Sequence, residues 1–394
     1  MSTARHTTAL SLTGVLVVGQ LYAVLPLLTP MALEWGEEQS TVAWTVTAFA
    51  VAYAAGFLVS GPAADRFGPR RVMAAGALAT ALLTGAVALA PNAAVGLALR
   101  ALQGLAAASF APAAFSYVAT RIAPEHRGTA ITWLTSSFLA AAVIGQLAAQ
   151  TLEPGIGWRG VFTASAAALA VAALTLRCVL APDAARRSAE GGDDGGGSSM
   201  LGLLRDRRLL LLYGATATLL FGFVGVYGGL ELSGPDWLTG DPRAMLTLRA
   251  GALPAMLAIP LLSSRLARHA PGVRVPAALF GAALTAAATG LVADLGPLAL
   301  GTGLLAFAGC VAVAAPALVQ AIGVRAGAAR GGATALYTFA LFVGAGVGPQ
   351  LATVLSGLGF HAVTFGAAAA LAGGGVLALA AFLPRRREPV PAVN

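Results

Sequence analysis

The chain contains no lysine, and charged residues make up only 10% of its 394 residues. Soluble globular proteins carry about 25% charged residues, because their surfaces face water. With 58% hydrophobic residues as well, the composition excludes a soluble enzyme domain and predicts a chain that lies mostly within a membrane. A phosphate loop of the Walker type needs a lysine to reach the terminal phosphates, so a built-in nucleotide-driven motor is also excluded.

Cysteine is scarce too. Cys178 and Cys310 lack the spacing of a metal site or of a disulfide framework. No apolar run groups a nucleophile with a base, or one carboxylate with another, which argues against a membrane-embedded enzyme. We therefore expect neither catalysis nor a metal or other cofactor.

Twelve uncharged runs follow one another along the chain, most of them close to the roughly 20 residues that a membrane-spanning helix needs. They cover residues 7–33, 39–64, 72–99, 101–120, 128–152, 160–176, 209–230, 250–264, 275–293, 295–324, 331–359 and 362–384. The pattern predicts an all-α membrane protein with twelve transmembrane helices.

The arginines test this helix count. When the loops are assigned alternately to the two faces, 20 of the 24 arginines fall on the face of the N-terminus, and only Arg159 and Arg243 fall on the other. Basic loops mark the cytoplasmic side of a membrane protein, so we expect both termini in the cytoplasm and a location in the inner (cytoplasmic) membrane. The same distribution indicates topology rather than nucleic-acid binding. The other two arginines, Arg100 and Arg249, are assigned to neither face, because they lie inside or beside apolar runs.

One long polar segment divides the chain. Residues 182–207 include Glu190-Gly-Gly-Asp-Asp-Gly-Gly-Gly-Ser-Ser199, a composition typical of a flexible linker. The predicted domains are a six-helix bundle over 1–181, a second over 208–384 and a cytoplasmic tail over 385–394. A shift of 199 residues aligns segment 61–71 with a degenerate copy at 260–268, and such duplicated halves are typical of secondary transporters with a site between them.

The loop after the second run resembles the signature loop of the major facilitator superfamily, Gly-x-x-x-Asp-Arg-x-Gly-x-Arg-Arg. All six positions match: Gly61, Asp65, Arg66, Gly68, Arg70 and Arg71. The resemblance implies two pseudo-symmetric six-helix bundles that work by alternating access, with this loop as a conformational latch. The alternative is an ordinary basic loop maintained only by the positive-inside rule.

Two further stretches can be compared with motifs of the drug/proton antiporter branch of that superfamily. Arg100-Ala-Leu-Gln103-Gly104 is similar to its helix-four motif, which implies a role for Arg100 in proton coupling; the alternative is an arginine that extends to the membrane surface. The helix-five motif is only partly kept, since Gln146 stands after Gly145 where the family has proline. Gln146 and Gln150 lie one turn apart, facing either substrate or a neighbouring helix.

Few carboxylates lie near the expected cavity. Glu34 and Glu231, at the outer ends of the first and seventh runs, are the proton-carrier candidates, and the alternative for each is a solvated residue at the interface. Arg249 favours a substrate with a carboxylate or another anion, unless it extends to the outer interface. The other cavity candidates are polar or aromatic residues within helices: Gln20, Tyr22, Tyr53, Gln103, Tyr227, Gln320 and Tyr337.

These features and the resemblance together predict a monomeric transporter in the lipid bilayer that exports drug-like or natural-product small molecules. The resemblance implies that protons are the coupling ion. The alternative is a facilitator or importer of an organic anion without obligatory proton coupling. Glu34 and Glu231 discriminate between the two, because antiport needs a residue that carries the proton.

Overall fold

The computed structural model describes residues 3–183, 200–238, 242–262, 265 and 268–383, and within these ranges it leaves the side chains of Asp65 and a few other residues undescribed. Most of the predicted linker, residues 184–199, and the predicted tail 385–394 lie outside the described residues. The division into two bundles joined by a linker therefore stays a prediction.

Throughout the described ranges the chain forms helices joined by short turns, with no β-strand. The helices of the first part are α1 (Thr3–Ala23), α2 (Leu28–Trp35), α3 (Gln39–Phe67), α4 (Pro69–Ala88), α5 (Ala93–Ala107), α6 (Phe110–Arg121) and α7 (Pro124–Val179). Those of the second part are α8 (Met200–Leu203), α9 (Arg207–Ser233), α10 (Pro242–Ala250), α11 (Leu253–Leu261), α12 (Pro271–Val292), α13 (Pro297–Ala326), α14 (Arg330–Leu355) and α15 (Phe360–Phe382). The prediction of an all-α chain is confirmed.

Ten helices of the described part are long and apolar enough to cross a membrane. The sequence predicts twelve crossings, and the difference has two sources. The 56 residues of α7 count once, although Gly157 interrupts the helix with φ 66° and ψ 168°. Where the sequence predicts a run over 250–264, the described chain has two nine-residue helices, α10 before Gly251 and α11 after it, and each is too short to count.

Helix packing places the elements of each half around a common core. In the first part α1 and α4 pack against α7, and α3 packs against α5. In the second part α9 packs against α14 and α15, and α12 against α13 and α15. The parts meet where α3 contacts α14 and where α11 and α13 contact α7. A site between the halves is therefore bounded by α7, α14 and their neighbours.

Close helix packing in the two parts relies on glycines at matching positions. A Cβ on Gly145 in α7 would lie 2.8 Å from the carbonyl oxygen of Gly19 in α1, and a Cβ on Gly344 in α14 would overlap the carbonyl of Ala217 in α9. The two glycines are 199 residues apart, the shift that the sequence repeat predicts. Small residues let helix backbones approach closely within a membrane, and here they do so at the equivalent place in each half.

Candidate functional site between the two halves

A small apolar cavity lies between the two parts of the chain. Its walls from the first part are Tyr22, Thr135, Phe138, Leu139 and Ala142. Its walls from the second part are Leu220, Phe223, Ala315, Tyr337, Leu341 and Phe342. The cavity measures about 20 Å³, enough for roughly one water molecule. A pocket for a drug-sized molecule takes about 300–1,000 Å³, so a ligand would have to separate these walls.

The two halves supply this cavity with equivalent positions. Phe138 and Ala142 of α7 line it, and the 199-residue shift maps them onto Tyr337 and Leu341 of α14, which line it too. The Oη atom of Tyr337 donates to the carbonyl oxygen of Ala315 at 3.2 Å. Of the residues predicted for the cavity, only Tyr22 and Tyr337 line it.

Arg100 is fully buried in the first part. Its guanidinium lies 4.4 Å from the centroid of the Phe49 ring, and its Nη1 donates to Oε1 of Gln103 at 2.7 Å. A longer hydrogen bond of 3.4 Å joins its Nε to the carbonyl oxygen of Thr45. Its Nη2 is buried and finds no hydrogen-bond partner among the described residues. Arg100 therefore does not extend to the membrane surface, and its charge is stabilised by an aromatic face and neutral oxygens.

Gln103 extends the Arg100 contact to two further helices. Its Nε2 donates to Oγ1 of Thr84 in α4 at 2.6 Å and to Oε1 of Gln20 in α1 at 3.4 Å. A Cβ on the adjacent Gly104 would overlap the backbone of Phe49, so the glycine lets α5 approach α3. Arg100 and Gln103 thus form one polar network with Thr84 and Gln20 inside the first part.

Arg249 of α10 links the two parts of the chain. Its Nη1 donates to Oε1 of Gln146 in α7 at 2.8 Å, and its Nη2 forms an ion pair with Oε2 of Glu231 in α9, also at 2.8 Å. The Arg249 side chain is 14% exposed, whereas that of Glu231 is 61% exposed. Gln146 also donates to the carbonyl oxygen of Ala142, which lines the cavity. The contact therefore lies close to the cavity and joins one half to the other.

Glu34 has a different environment. Its Oε1 accepts a hydrogen bond from Nε of Arg159 at 2.7 Å, and its Oε2 accepts one from the indole of Trp158. Arg159 also donates to the carbonyl oxygens of Ala88 and Ala90. The carboxylate therefore joins α2 to α7, and Arg159 extends the contact to the end of α4. This structure does not bring Glu34 to the cavity.

A family model described as Major Facilitator Superfamily matches residues 10–349. The chain belongs to the major facilitator superfamily. Because the match covers both halves of the chain, the resemblance of the loop at Gly61 is confirmed at the level of the family.

Individual members of the superfamily match shorter stretches. The chain is 30% identical over 189 residues to the "Multidrug resistance protein B homolog" of Mycobacterium tuberculosis (strain CDC 1551 / Oshkosh), which is 48% of this chain and 33% of that protein. It is 32% identical over 139 residues to a "Chloramphenicol resistance protein" of Pseudomonas aeruginosa, 35% of this chain and 33% of the relative. It is 30% identical over 165 residues to a "Gallate transporter" of Pseudomonas putida, which is 42% of this chain and 36% of that relative. The chain thus spans about a third of the length of these curated relatives.

The first residue of the superfamily loop, Gly61, packs against α14 of the second part. A Cβ on Gly61 would lie 2.8 Å from that of Ala335, so the glycine lets α3 approach α14. The guanidinium of Arg66 lies 5.3 Å from the ring centroid of Phe67. The Asp65 side chain lies outside the described residues. The loop is thus placed where α3 meets the second half.

Gly68 needs its glycine for two reasons. Its φ of +92° lies in the region that disfavours a side chain, and a Cβ there would overlap the carboxylate of Asp183. That carboxylate accepts the backbone N–H groups of Arg70 at 3.0 Å and Arg71 at 3.1 Å, at the start of α4. Sequence reasoning missed Asp183, because nothing in its neighbourhood marks it as the partner of a loop more than 100 residues earlier.

Eight of the ten predicted cavity residues do not line the cavity; Gln20, Gln103, Gln146 and Arg249 are described above, and the other four are as follows. Tyr53 is buried against Phe342 at a centroid distance of 4.7 Å, and Tyr227 packs on Phe223, so both rings support residues of the cavity wall. Gln320 accepts a hydrogen bond from Arg274 at 2.7 Å, within the second part. Gln150 is half-buried, one turn beyond Gln146.

The carboxylate of Asp206 lies outside the predicted spans and connects the start of α9 to the end of α13. Asp206 binds Nε of Arg325 at 2.8 Å and accepts the backbone N–H of Arg208 at 2.9 Å. Partial burial raises the pKa of the Asp206 carboxyl, but the hydrogen bond from Arg325 and the backbone donors outweigh it, so the pKa lies below its ordinary value. No group of His, Cys, Asp or Glu in the described residues is arranged to hold a metal ion.

Proposed function

We propose that the chain is a secondary transporter that exports drug-like or natural-product small molecules by alternating access, in exchange for protons. The multidrug and chloramphenicol resistance relatives support the substrate class. The aromatic and apolar walls of the cavity support it too, since such walls suit amphipathic molecules.

The proposed membrane topology has twelve crossings. The break at Gly157 divides α7 into two crossings, and α10 with α11 supplies another over residues 242–261, about 30 Å at the helical rise. An even number puts both ends of the chain on one face, and the arginine bias favours the cytoplasm. We propose a monomer in the cytoplasmic membrane.

The observation that carries the transport mechanism is the double contact of Arg249. Opening the outer face requires the halves to separate, so the hydrogen bond between Arg249 and Gln146 must break. Glu231 forms an ion pair with the same guanidinium and is 61% exposed, and in the proposed topology it faces the outside. When Glu231 binds a proton, Arg249 loses its counter-charge, and the free energy of the Arg249 contact between the halves changes. Proton binding is in this way coupled to the opening of the cavity.

Reconstitution into liposomes with an imposed pH gradient tests the proposal. A panel of cationic and anionic compounds is screened while the lumenal pH is recorded. In Glu231→Gln we expect transport driven by the pH gradient to fall at least tenfold, while exchange of substrate for substrate continues.

Glu34→Gln is the matched control. It removes the same charge from the same predicted face, but Glu34 pairs with Arg159 within the first half. We expect it to retain gradient-driven transport. If Glu231→Gln moves protons and substrate as the unaltered protein does, Glu231 is not the carrier.

An organic-anion facilitator is the second candidate. Arg249 is a cation placed between the halves, and one relative carries the name gallate transporter, gallate being a carboxylate. If this alternative is correct, Arg249→Ala abolishes transport of anions alone, and Arg249→Lys restores part of it. If proton exchange is correct, Arg249→Ala weakens gradient-driven transport of every substrate, whatever its charge.

A further inference from the structure

A second concave surface lies away from the site between the halves, in the groove where α4 meets the last turns of α7. Three arginines stand at one end of it: Arg70 and Arg71 at the start of α4, and Arg177 at the end of α7. The rest of its wall is apolar and consists of Ala74, Ala75, Leu78, Ala173 and Leu174. The groove has a volume of about 470 Å³, far larger than the cavity between the halves.

The three arginines have no ion-pair partner among the described residues. The Asp65 side chain is not part of that description. The nearest carboxylate, Asp183, accepts the backbone N–H groups of Arg70 and Arg71 instead of their side chains. Arg70 donates through Nη2 to the carbonyl oxygen of Arg177, and its Nε is buried and finds no hydrogen-bond partner in the part of the chain that the structure describes. An unpartnered buried donor beside two further arginines of the same groove points to an anion that the described residues do not supply.

The apolar wall identifies the kind of anion. Leu78 lies two turns below Arg71 along α4, about 10 Å at the helical rise, and Leu78 and Leu174 are exposed. Hydrocarbon side chains that continue from a basic rim into the membrane-spanning part of two helices suit an acyl chain. A free phosphate ion would use the rim alone.

We propose that this groove binds an anionic phospholipid, with the phosphate at Arg70, Arg71 and Arg177 and one acyl chain along α4 and the end of α7. The rim lies on the face that the arginine distribution predicts to be cytoplasmic, where anionic lipids attract basic residues. A bound lipid would hold the start of α4 against the end of α7. The superfamily loop leads directly into α4. A lipid bound to Arg70 and Arg71 would therefore also restrain the end of this loop.

Native mass spectrometry of the full chain in detergent tests the proposal. Delipidated protein is titrated with phosphatidylglycerol, with phosphatidylcholine of the same acyl chains, and with inorganic phosphate. We expect one phosphatidylglycerol to bind at least tenfold more tightly than phosphatidylcholine. Removing two charges in Arg71→Gln/Arg177→Gln should weaken it about 25-fold, at roughly fivefold for each arginine.

The matched charge control is Arg205→Gln/Arg207→Gln. It removes two exposed arginines from the same predicted face, beside the start of α9 and away from the groove, and should leave this binding unchanged. Ala75→Phe fills the groove without changing any charge, so it tests the acyl contact even if the arginine variant fails to fold. Equal binding of the two lipids, unaltered binding in Ala75→Phe, or binding of phosphate as tight as that of the lipid would each overturn the proposal.

Discussion

The guanidinium of Arg249 and the side-chain amide of Gln146 form a 2.8 Å hydrogen bond between the two halves of the chain. Gln146 stands where the antiporter branch has proline in its helix-five motif. A proline has no side-chain acceptor, so this chain has gained a contact between its halves at the position where it departs from the motif. The contact of Arg249 with the first half therefore depends on the residue at which the chain departs from the motif.

Changing Gln146 should alter the rate of opening. In Gln146→Glu the neutral acceptor becomes a carboxylate, and an ion pair with Arg249 stabilises the contact more strongly than a neutral hydrogen bond does. We expect transport to slow at least fivefold, while Gln146→Ala, which removes the acceptor, leaves the halves free to separate. Initial rates in proteoliposomes measure both.

Gln150→Glu is the control for that experiment. It introduces the same charge one turn along α7, at a residue that is also half-buried. Transport should change less than in Gln146→Glu. Equal slowing in the two variants would mean that added charge, and not the contact with Arg249, is responsible.

Arg100 should contribute more to transport than to stability. It is completely buried, one of its nitrogens has no partner in the described chain, and no described carboxylate balances its charge. A charge in the membrane interior costs at least about 2.5 kcal/mol. Arg100→Gln keeps an amide donor near Gln103 and removes the charge, so we expect a higher melting temperature together with at least a tenfold loss of gradient-driven transport. Scanning fluorimetry and liposome assays on the same preparation provide the two values. A lower melting temperature with full transport would reverse this interpretation.

The position of Arg100 inside an apolar stretch could be predicted from the sequence, but its complete burial and the contacts of Glu34 and Gln320 could not. Arg100 stands alone within an apolar stretch, which places it in the membrane whatever the packing. Glu34 lies near several candidate partners, and only the packing of α7 brings Arg159 to it. The same is true of Gln320 and Arg274, on neighbouring helices whose relative rotation the sequence leaves open.

Part of the cavity wall could be predicted from the internal sequence repeat. Tyr337 is a cavity candidate because it is aromatic and polar, and the 199-residue shift leads from it to Phe138, which lines the cavity. Phe138 is missed by a search restricted to polar residues. An internal duplication thus identifies site residues that their chemistry alone does not distinguish from ordinary core.

The glycine of the helix-four motif should be intolerant of a single methyl group. A Cβ at Gly104 would overlap the backbone of Phe49, whose ring also contacts the Arg100 guanidinium. Backbone cannot move aside as a flexible side chain can, and overpacking costs about 1–3 kcal/mol. We expect Gly104→Ala to lower the melting temperature and to reduce transport. Gly373→Ala is the matched control, since Gly373 is a helical glycine with open space around it. That variant should be neutral or slightly stabilising, because alanine is the better helix former.

The ion pair of Asp206 with Arg325 should make stability depend on pH in one direction. The folded-state pKa of Asp206 is lowered, so its contribution is fully present above the ordinary pKa of an aspartate and is lost as pH falls through the lowered folded value. Asp206→Asn should therefore melt at a lower temperature than the unaltered protein at pH 7, and the difference should shrink as the pH approaches 3. The exposed Asp236 provides the control: Asp236→Asn should match the unaltered protein throughout. A difference for Asp206→Asn that stays constant from pH 7 to pH 3 would show that its hydrogen bonds, and not its charge, stabilise the start of α9.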